Sequence, residues 1–175
     1  MEYFERTVDT FKRFYDFSPD VIVCDKHPNY ATAQWAKHQG VRVITVQHHY
    51  AHTLACMAEF GLENQVLAFC FDGTGYGDDG NIWGGEVFIA DPTHCERIGH
   101  LKAFRLLGGE KAIKEPKRVA LSLLFEIYTL EEVQQLGLPL LGHFNPQEIN
   151  SYYKIWQNGI NSPLCSSMGR VFDAM

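Results

Sequence analysis

Between Val21 and Gln47 the chain sets two short apolar runs, VIVC and VRVITVQ, on either side of a helical stretch at residues 30–39. A strand, a short helix and a second strand in so few residues call for parallel pairing with a right-handed crossover. Phe4, Val8, Phe11 and Tyr15 recur at helical spacing, so an amphipathic helix over residues 2–16 is expected ahead of the first strand. Gly40 should end the middle helix, and AHTLACMAEF is helical by composition. The order helix, strand, helix, strand, helix gives an α/β class. Two short strands make a thin sheet for three helices, and SSMGRVFDAM stops in what reads as the opening of a helix. The chain is therefore expected to be a fragment of a larger domain.

From Gln65 the pattern changes. QVLAFCFD reads as a strand that breaks off in GTGYGDDGN, IWGGEVFIAD resumes strand character, and HCERIGHLKAFRL supplies a third strand of an antiparallel meander. The glycine-rich connection is long for a tight hairpin and is expected to be a binding loop. Residues 116–127, 129–136 and 146–157 read as helices. The internal boundary falls at Gly61 to Asn64, which divides a first lobe, 1–64, from the start of a second, 65–175.

The 175 residues suffice for one domain or two small lobes. A net charge of −6 argues against a broad nucleic-acid or acidic-membrane surface. No apolar run approaches the roughly 20 residues of a membrane helix, and the N-terminus lacks the layout of a targeting segment. Five cysteines, odd in number and without a C-x-x-C pair, are expected to be small buried thiols of a reducing cytoplasm.

The stretch VQHHYAH places three histidines within five positions. On a helix starting near His48, residues His48 and His52 are i and i+4 and share one face. Two imidazoles so placed form half of a site for a divalent metal. A carboxylate must join them from elsewhere. Asp72 and Asp25 both end strands, the level at which ligands gather in open α/β sheets. His49 points away from the paired face and is expected to hydrogen-bond a backbone group or lie near substrate. The alternative is three polar residues at a helix start with no metal.

In DGTGYGDDG, Asp72 to Gly80, four of nine residues are glycine. Successive N–H groups free of side chains suit a phosphate, so Gly73, Thr74, Gly75 and Gly77, with Gly84 and Gly85 on the next strand, are the candidate nucleotide contacts. Neither G-x-x-x-x-G-K-[ST] nor a strand-to-helix G-x-G-x-x-G is present. A strand, D-G-T-G and a second strand is how actin-like and sugar-kinase-like folds hold nucleotide phosphates. A calcium loop or a flexible hairpin is the alternative, and the missing bidentate glutamate argues against an EF-hand type.

Together, VQHHYAHTLACMAEFG, FDGTGYGDDGNIWGGEVF, the D-x-H-P-x-Y of Asp25 to Tyr30, and SSMGRVFDA resemble the HypF carbamoyltransferases of nickel–iron hydrogenase maturation, nearly end to end and in order. The resemblance implies part of the family's large C-terminal domain, an actin-like, ribonuclease H-like (ASKHA) fold with mixed sheets flanked by helices. It also implies carbamoyl-adenylate, made from carbamoyl phosphate and ATP, as donor and the C-terminal cysteine thiolate of HypE as acceptor. His48 and His52 match the family's metal pair, for Fe2+ or Zn2+. Asp72 would reach metal or nucleotide and serve catalysis beside His49, while Asp25 and His27 match the D-x-H-P element.

The chain departs from the family pattern in lacking acylphosphatase-like, zinc-finger and YrdC-like domains and a later glycine-rich segment. Tyr50 stands where the family carries a middle histidine. An actin-like kinase module and a noncatalytic remnant stay open as alternatives. A kinase would need an acceptor-deprotonating carboxylate, Asp72 or Asp78, but would not need the histidine pair.

Overall fold

The computed structural model describes residues 1–175. The first lobe runs α1 (Glu2–Phe14), β1 (Val21–Asp25), α2 (Ala31–Lys37), β2 (Arg42–Val46) and α3 (His48–Glu59). β1 and β2 pair in parallel from Val21 opposite Arg42 to Asp25 opposite Val46, as the alternation of apolar runs requires. That register brings Asp25 level with the end of β2, so the residues opening α3 emerge beside it. Gln47 caps α3 by accepting the Tyr50 N–H at 2.9 Å. α1 buries none of its residues and meets α2 through Phe4, edge-on to Trp35 at 5.1 Å.

The second lobe opens with β3 (Val66–Tyr76), β4 (Ile82–Ala90) and β5 (Cys95–His100), an antiparallel meander. The glycine segment departs from its expected form. β3 does not break at Asp72 but continues to Tyr76, with a bulge between Phe71 and Gly75 before pairing resumes at Gly75 opposite Trp83. The turn itself covers only Gly77 to Asn81, where the Gly77 N–H donates to the Asn81 carbonyl at 2.9 Å. Glycines let the strand take up extra residues as a bulge, which kinks it without ending it. HCERIGHLKAFRL likewise divides: β5 stops at His100, and a separate β6 (Phe104–Arg105) follows. β6 pairs antiparallel with β7 (Leu164–Cys165), a two-residue strand that periodicity is too short to reveal, and β7 lies parallel to the start of β4.

The helices are α4 (Glu110–Lys114), α5 (Lys117–Ile127), α6 (Leu130–Gln135), α7 (Pro146–Gln157) and α8 (Met168–Asp173), with a 3₁₀ turn at Pro139–His143. Reciprocal capping boxes, Thr129 with Glu132 and Asn145 with Glu148, start α6 and α7 where the sequence places them. Leu107, Leu121, Phe125, Val133, Phe144 and Ile149 form the core of this helical part. Phe104, Leu106, Ala112, Val119 and Cys165 tie α5 to β6 and β7. Trp83, Phe88 and Ala90, with Tyr50 packed on them, seat α3 against the meander.

All five cysteines are free, but only Cys165 is buried and Cys56 is exposed, against the expectation of buried thiols throughout. Cys56 lies on the flank of the face carrying the buried His49, Thr53 and Met57, where α3 borders an open groove. No helix is long and apolar enough to cross a membrane.

Candidate metal centre

Three elements deliver the site. β1 ends in Asp25, α3 begins with His48, and the bulge of β3 carries Asp72. His48 and His52 lie one turn apart on the same face, with their Nε2 atoms 3.3 Å apart. The Asp72 carboxylate faces both: Oδ2 is 3.0 Å from His48 Nε2 and 3.9 Å from His52 Nε2. The three donor atoms lie within 4.8 Å of one another. Two nitrogen ligands about 2.0–2.1 Å from a tetrahedral zinc stand about 3.3–3.4 Å apart, so the imidazole spacing suits one first-row divalent ion. The expected half-site thus gains its carboxylate from within the chain.

Asp25 completes the arrangement. Its Oδ2 lies 2.7 Å from His48 Nδ1, while its Oδ1 accepts the His27 N–H at 2.7 Å. A carboxylate on Nδ1 holds the proton there and presents the Nε2 lone pair outward, the outer-shell device that orients metal-ligating histidines. The second oxygen of Asp72 accepts the Gly73 N–H at 2.6 Å, which leaves Oδ2 to face the imidazoles. His27 takes no direct part. Its ring stacks on Tyr30 at 4.2 Å, and Tyr76 meets it edge-on at 5.0 Å.

His49 is fully buried between α3 and β3. Its partner is a side chain, not the backbone group expected: Gln47 Nε2 lies 3.2 Å from His49 Nδ1 and also donates to the Tyr76 carbonyl at 3.1 Å. Because Gln47 Oε1 accepts from Tyr50, the amide orientation is set and Nδ1 must accept. The proton then sits on Nε2, which has no hydrogen-bond partner and points towards Asp72 Oδ2 at 3.9 Å. Burial, with the neighbouring His48 adding to it, pushes the His49 pKa down to about 4, so the ring is neutral.

Gly75 is what lets α3 come so close: a Cβ there would stand 2.3 Å from His49 Cε1 and 2.8 Å from His48 Cδ2. The other candidate nucleotide contacts are placed differently from the expectation. The Gly77 N–H closes the turn, and the N–H groups of Gly84 and Gly85 both donate to the buried Glu86 carboxylate, at 3.1 and 3.2 Å. With the Gly73 N–H given to Asp72, four of the expected phosphate donors are already engaged inside the protein. A Cβ on Gly73, Gly77, Gly84 or Gly85 would meet Arg170, Trp83, Asp72 or Ser166, all within the second lobe, so of these glycines only Gly75 makes room for the first. Thr74 stays exposed and, with Gly75, borders a polar cleft of about 460 Å³ lined also by His27, Tyr30, Tyr76 and Lys114. On the other side, His52 and Asp72 border a groove of about 430 Å³ walled by Cys56, Phe69 and Phe71. The centre opens onto this groove, and the cleft at Thr74 lies beyond it, lined by none of His48, His52 and Asp72.

Comparison with known proteins decides the family. Residues 1–59 match the model described as the HypF Kae1-like domain, and residues 68–175 match the second subdomain of the carbamoyltransferase Kae1-like domain. The chain belongs to the HypF family. It is 44% identical to the carbamoyltransferase HypF of a Synechocystis species, over 98% of this chain and 24% of that protein. It is 34% identical to the probable carbamoyltransferase HypF of Methanocaldococcus jannaschii, over 89% and 21% of the two chains. A full-length HypF crystallised in a phosphate- and nucleotide-bound form superposes with a TM-score of 0.88 at 38% identity, covering 99% of this chain and 22% of that one. HypF from T. kodakarensis gives 0.84 at 33% identity, over 99% and 24%. The chain thus spans about a quarter of the length of these HypF proteins, and its α/β architecture of mixed sheets and helices is that of their Kae1-like domain.

Sequence reasoning had placed His48, His52 and Asp72 together. It had left Asp25 without a role, although an acid closing a strand level with the histidines was the available signal. It gave no role to Glu86, Ser166 or Ser167, although all three fall in the stretches that carry the resemblance. For Glu86 the signal was a lone acid inside the apolar run IWGGEVF.

Proposed function

We propose that this chain is the metal-centred part of a carbamoyltransferase, passing a carbamoyl group from carbamoyl-adenylate to the C-terminal cysteine thiolate of HypE. The observation that carries the reading is the convergence of His48 Nε2, His52 Nε2 and Asp72 Oδ2, with Asp25 fixing the His48 tautomer. Family membership favours carbamoyl transfer over a kinase, and a kinase has no need of the paired imidazoles.

Fe2+ or Zn2+ held by these three side chains would supply Lewis-acid polarisation of the carbamoyl carbonyl. The chain's own groups do the rest. His48 and His52 offer Nε2, and Asp72 adds the negative charge that two imidazoles lack. His49, buried and neutral, turns its Nε2–H toward Asp72, 3.9 Å away. Thr74 and Gly75 are the members of the glycine segment left to meet the donor's phosphate, with Lys114 across the cleft. The groove beside His52 offers the acceptor a separate approach, as a two-substrate transfer needs. In the reaction the thiolate sulfur bonds to the carbamoyl carbon, the bond from that carbon to the phosphate oxygen breaks, and AMP leaves with the electron pair. The product is an S-carbamoyl cysteine.

The test uses a complete HypF protein carrying this segment, supplied with carbamoyl phosphate and ATP as the source of carbamoyl-adenylate. Asp72→Ala and His48→Ala should abolish carbamoylation of the HypE cysteine, read by mass spectrometry. ATP–pyrophosphate exchange with carbamoyl phosphate, which belongs to another domain, should persist. Retention of both activities would remove these residues from the mechanism.

A further inference from the structure

Behind Asp72 lies a buried carboxylate that the reading above does not use. Glu86, in the middle of β4, is 0% exposed. Its Oε1 accepts the N–H groups of Gly84 and Gly85 and the hydroxyl of Ser166, and its Oε2 accepts Arg97 Nε at 2.6 Å. Arg97 is itself sandwiched, its guanidinium 3.9 Å from the Trp83 ring centroid and 3.5 Å from Asp79. One carboxylate therefore gathers β4, β5 and the turn entering α8.

Two of these attachments, through Gly84 and through Ser166, lead to Asp72. Gly84, at φ +155, lies so close to Asp72 that a Cβ on it would be 2.4 Å from the Asp72 carbonyl oxygen. Ser167, next to Ser166, donates its hydroxyl to the carbonyls of Asp72 and Gly73, at 2.6 and 2.8 Å. The main chain at the bulge is thus held from one side by Gly84 and from the other by Ser167, and Glu86 binds Gly84 directly and Ser167 through its neighbour Ser166. A bulge leaves its extra residues unpaired and the ladder locally disrupted, and Asp72 sits on it.

We infer that Glu86 is a positioning residue, whose charge fixes the Asp72 bulge through Gly84 and the Ser166–Ser167 turn so that Oδ2 meets the paired imidazoles. This rests on the metal reading above. A buried, fully hydrogen-bonded carboxylate gives a rigid brace, because removing its charge leaves Arg97 and several donors without their partner. Glutamine keeps the shape and one carbonyl oxygen, but its amide N–H groups oppose Arg97 Nε–H, donor against donor. The brace should loosen without loss of fold.

The experiment compares the 175-residue wild type with Glu86→Gln, Ser166→Ala, Asp72→Asn and a remote core control, Phe125→Leu. Two readouts are taken at a temperature where all are folded: amide hydrogen exchange of residues 72–76 without metal, and Co2+ affinity from its visible absorption. Glu86→Gln should speed exchange of the bulge at least tenfold and weaken Co2+ binding roughly tenfold to a hundredfold, the range for outer-shell changes. Ser166→Ala should move both in the same direction by a smaller factor. Phe125→Leu should move neither. Wild-type exchange and wild-type Co2+ affinity in folded Glu86→Gln would overturn the inference. Should Glu86→Gln not fold, Ser166→Ala decides in its place, and unchanged exchange there overturns it. If the wild type takes up no Co2+, or Asp72→Asn binds as well as wild type, the metal reading fails and the exchange result alone judges the brace.

Discussion

Replacing Gly75 with alanine tests how closely the helix and the strand must approach to build the centre. The added Cβ would stand 2.3 Å from His49 Cε1 and 2.8 Å from His48 Cδ2, where ordinary contact begins at 3.4 Å. The His49 ring must therefore retreat by about 1 Å, and it has little room because it is fully buried. Overpacking of this kind costs about 1–3 kcal/mol, which for a chain of this size lowers Tm by about 2–12 °C. His48 must move by about half an ångström, more than the roughly 0.2 Å tolerance of metal–ligand distances. Metal affinity should fall at least tenfold. Gly80→Ala is the control: nothing lies within 4 Å of a Cβ there, and φ is +79. It should lose a similar amount of stability, about 1–2 kcal/mol from backbone strain, yet bind metal as wild type does. The assay is Zn2+ competition against a chromophoric chelator, beside thermal melting. Wild-type Zn2+ affinity in Gly75→Ala would refute the close-approach argument.

Other outcomes follow from the same geometry. Asp25→Asn removes the charge that pins His48 Nδ1–H and should weaken Zn2+ binding roughly tenfold to a hundredfold with the melt nearly unchanged; an unaltered affinity would release Asp25 from that role. Burial raises the Glu86 pKa, but hydrogen bonds from Ser166, Gly84, Arg97 and Gly85 outweigh it and leave it lowered. A depressed folded pKa stabilises fully above the unfolded value, about 4.3, and that contribution is lost as pH falls through the folded value. The Tm gap between wild type and Glu86→Gln should therefore be widest above about pH 5 and narrow below pH 4, and a gap that is flat with pH would contradict the ion pair. Burial pushes Cys95 and Cys165 up to about 11, which leaves roughly 3 thiolates in 10,000 at pH 7.5. Mass-resolved labelling with a maleimide should mark the exposed Cys56 long before either of them; equal rates would mean that the meander opens readily.

The parallel pair, the order of the helices and the shared face of His48 and His52 were legible because each rests on local periodicity. Five-residue apolar runs and an i, i+4 spacing need no distant contacts to be read. The glycine segment was misread for a physical reason. Glycine clusters mark loops, bulges and close approaches alike, and the chain alone does not say which neighbour will fill the space above them. Only the arrival of α3 on β3 shows that Gly75 makes room for two imidazoles, and only the β3 bulge against β4 shows that Gly84 makes room for Asp72. Glu86 was hidden for the opposite reason. A single acid in an apolar strand looks like a surface residue until Arg97, from the next strand, and Ser166, 80 residues on, come to meet it.

The central claim is that His48, His52 and Asp72 hold one divalent ion. Metal analysis after loading the chain with Zn2+ and dialysing against metal-free buffer tests it most directly, with His52→Ala and Asp72→Ala carried in parallel and folding checked by circular dichroism. One equivalent on the wild type and far less on both folded variants is the result predicted. Equal zinc on all three proteins, or none on the wild type, would contradict it.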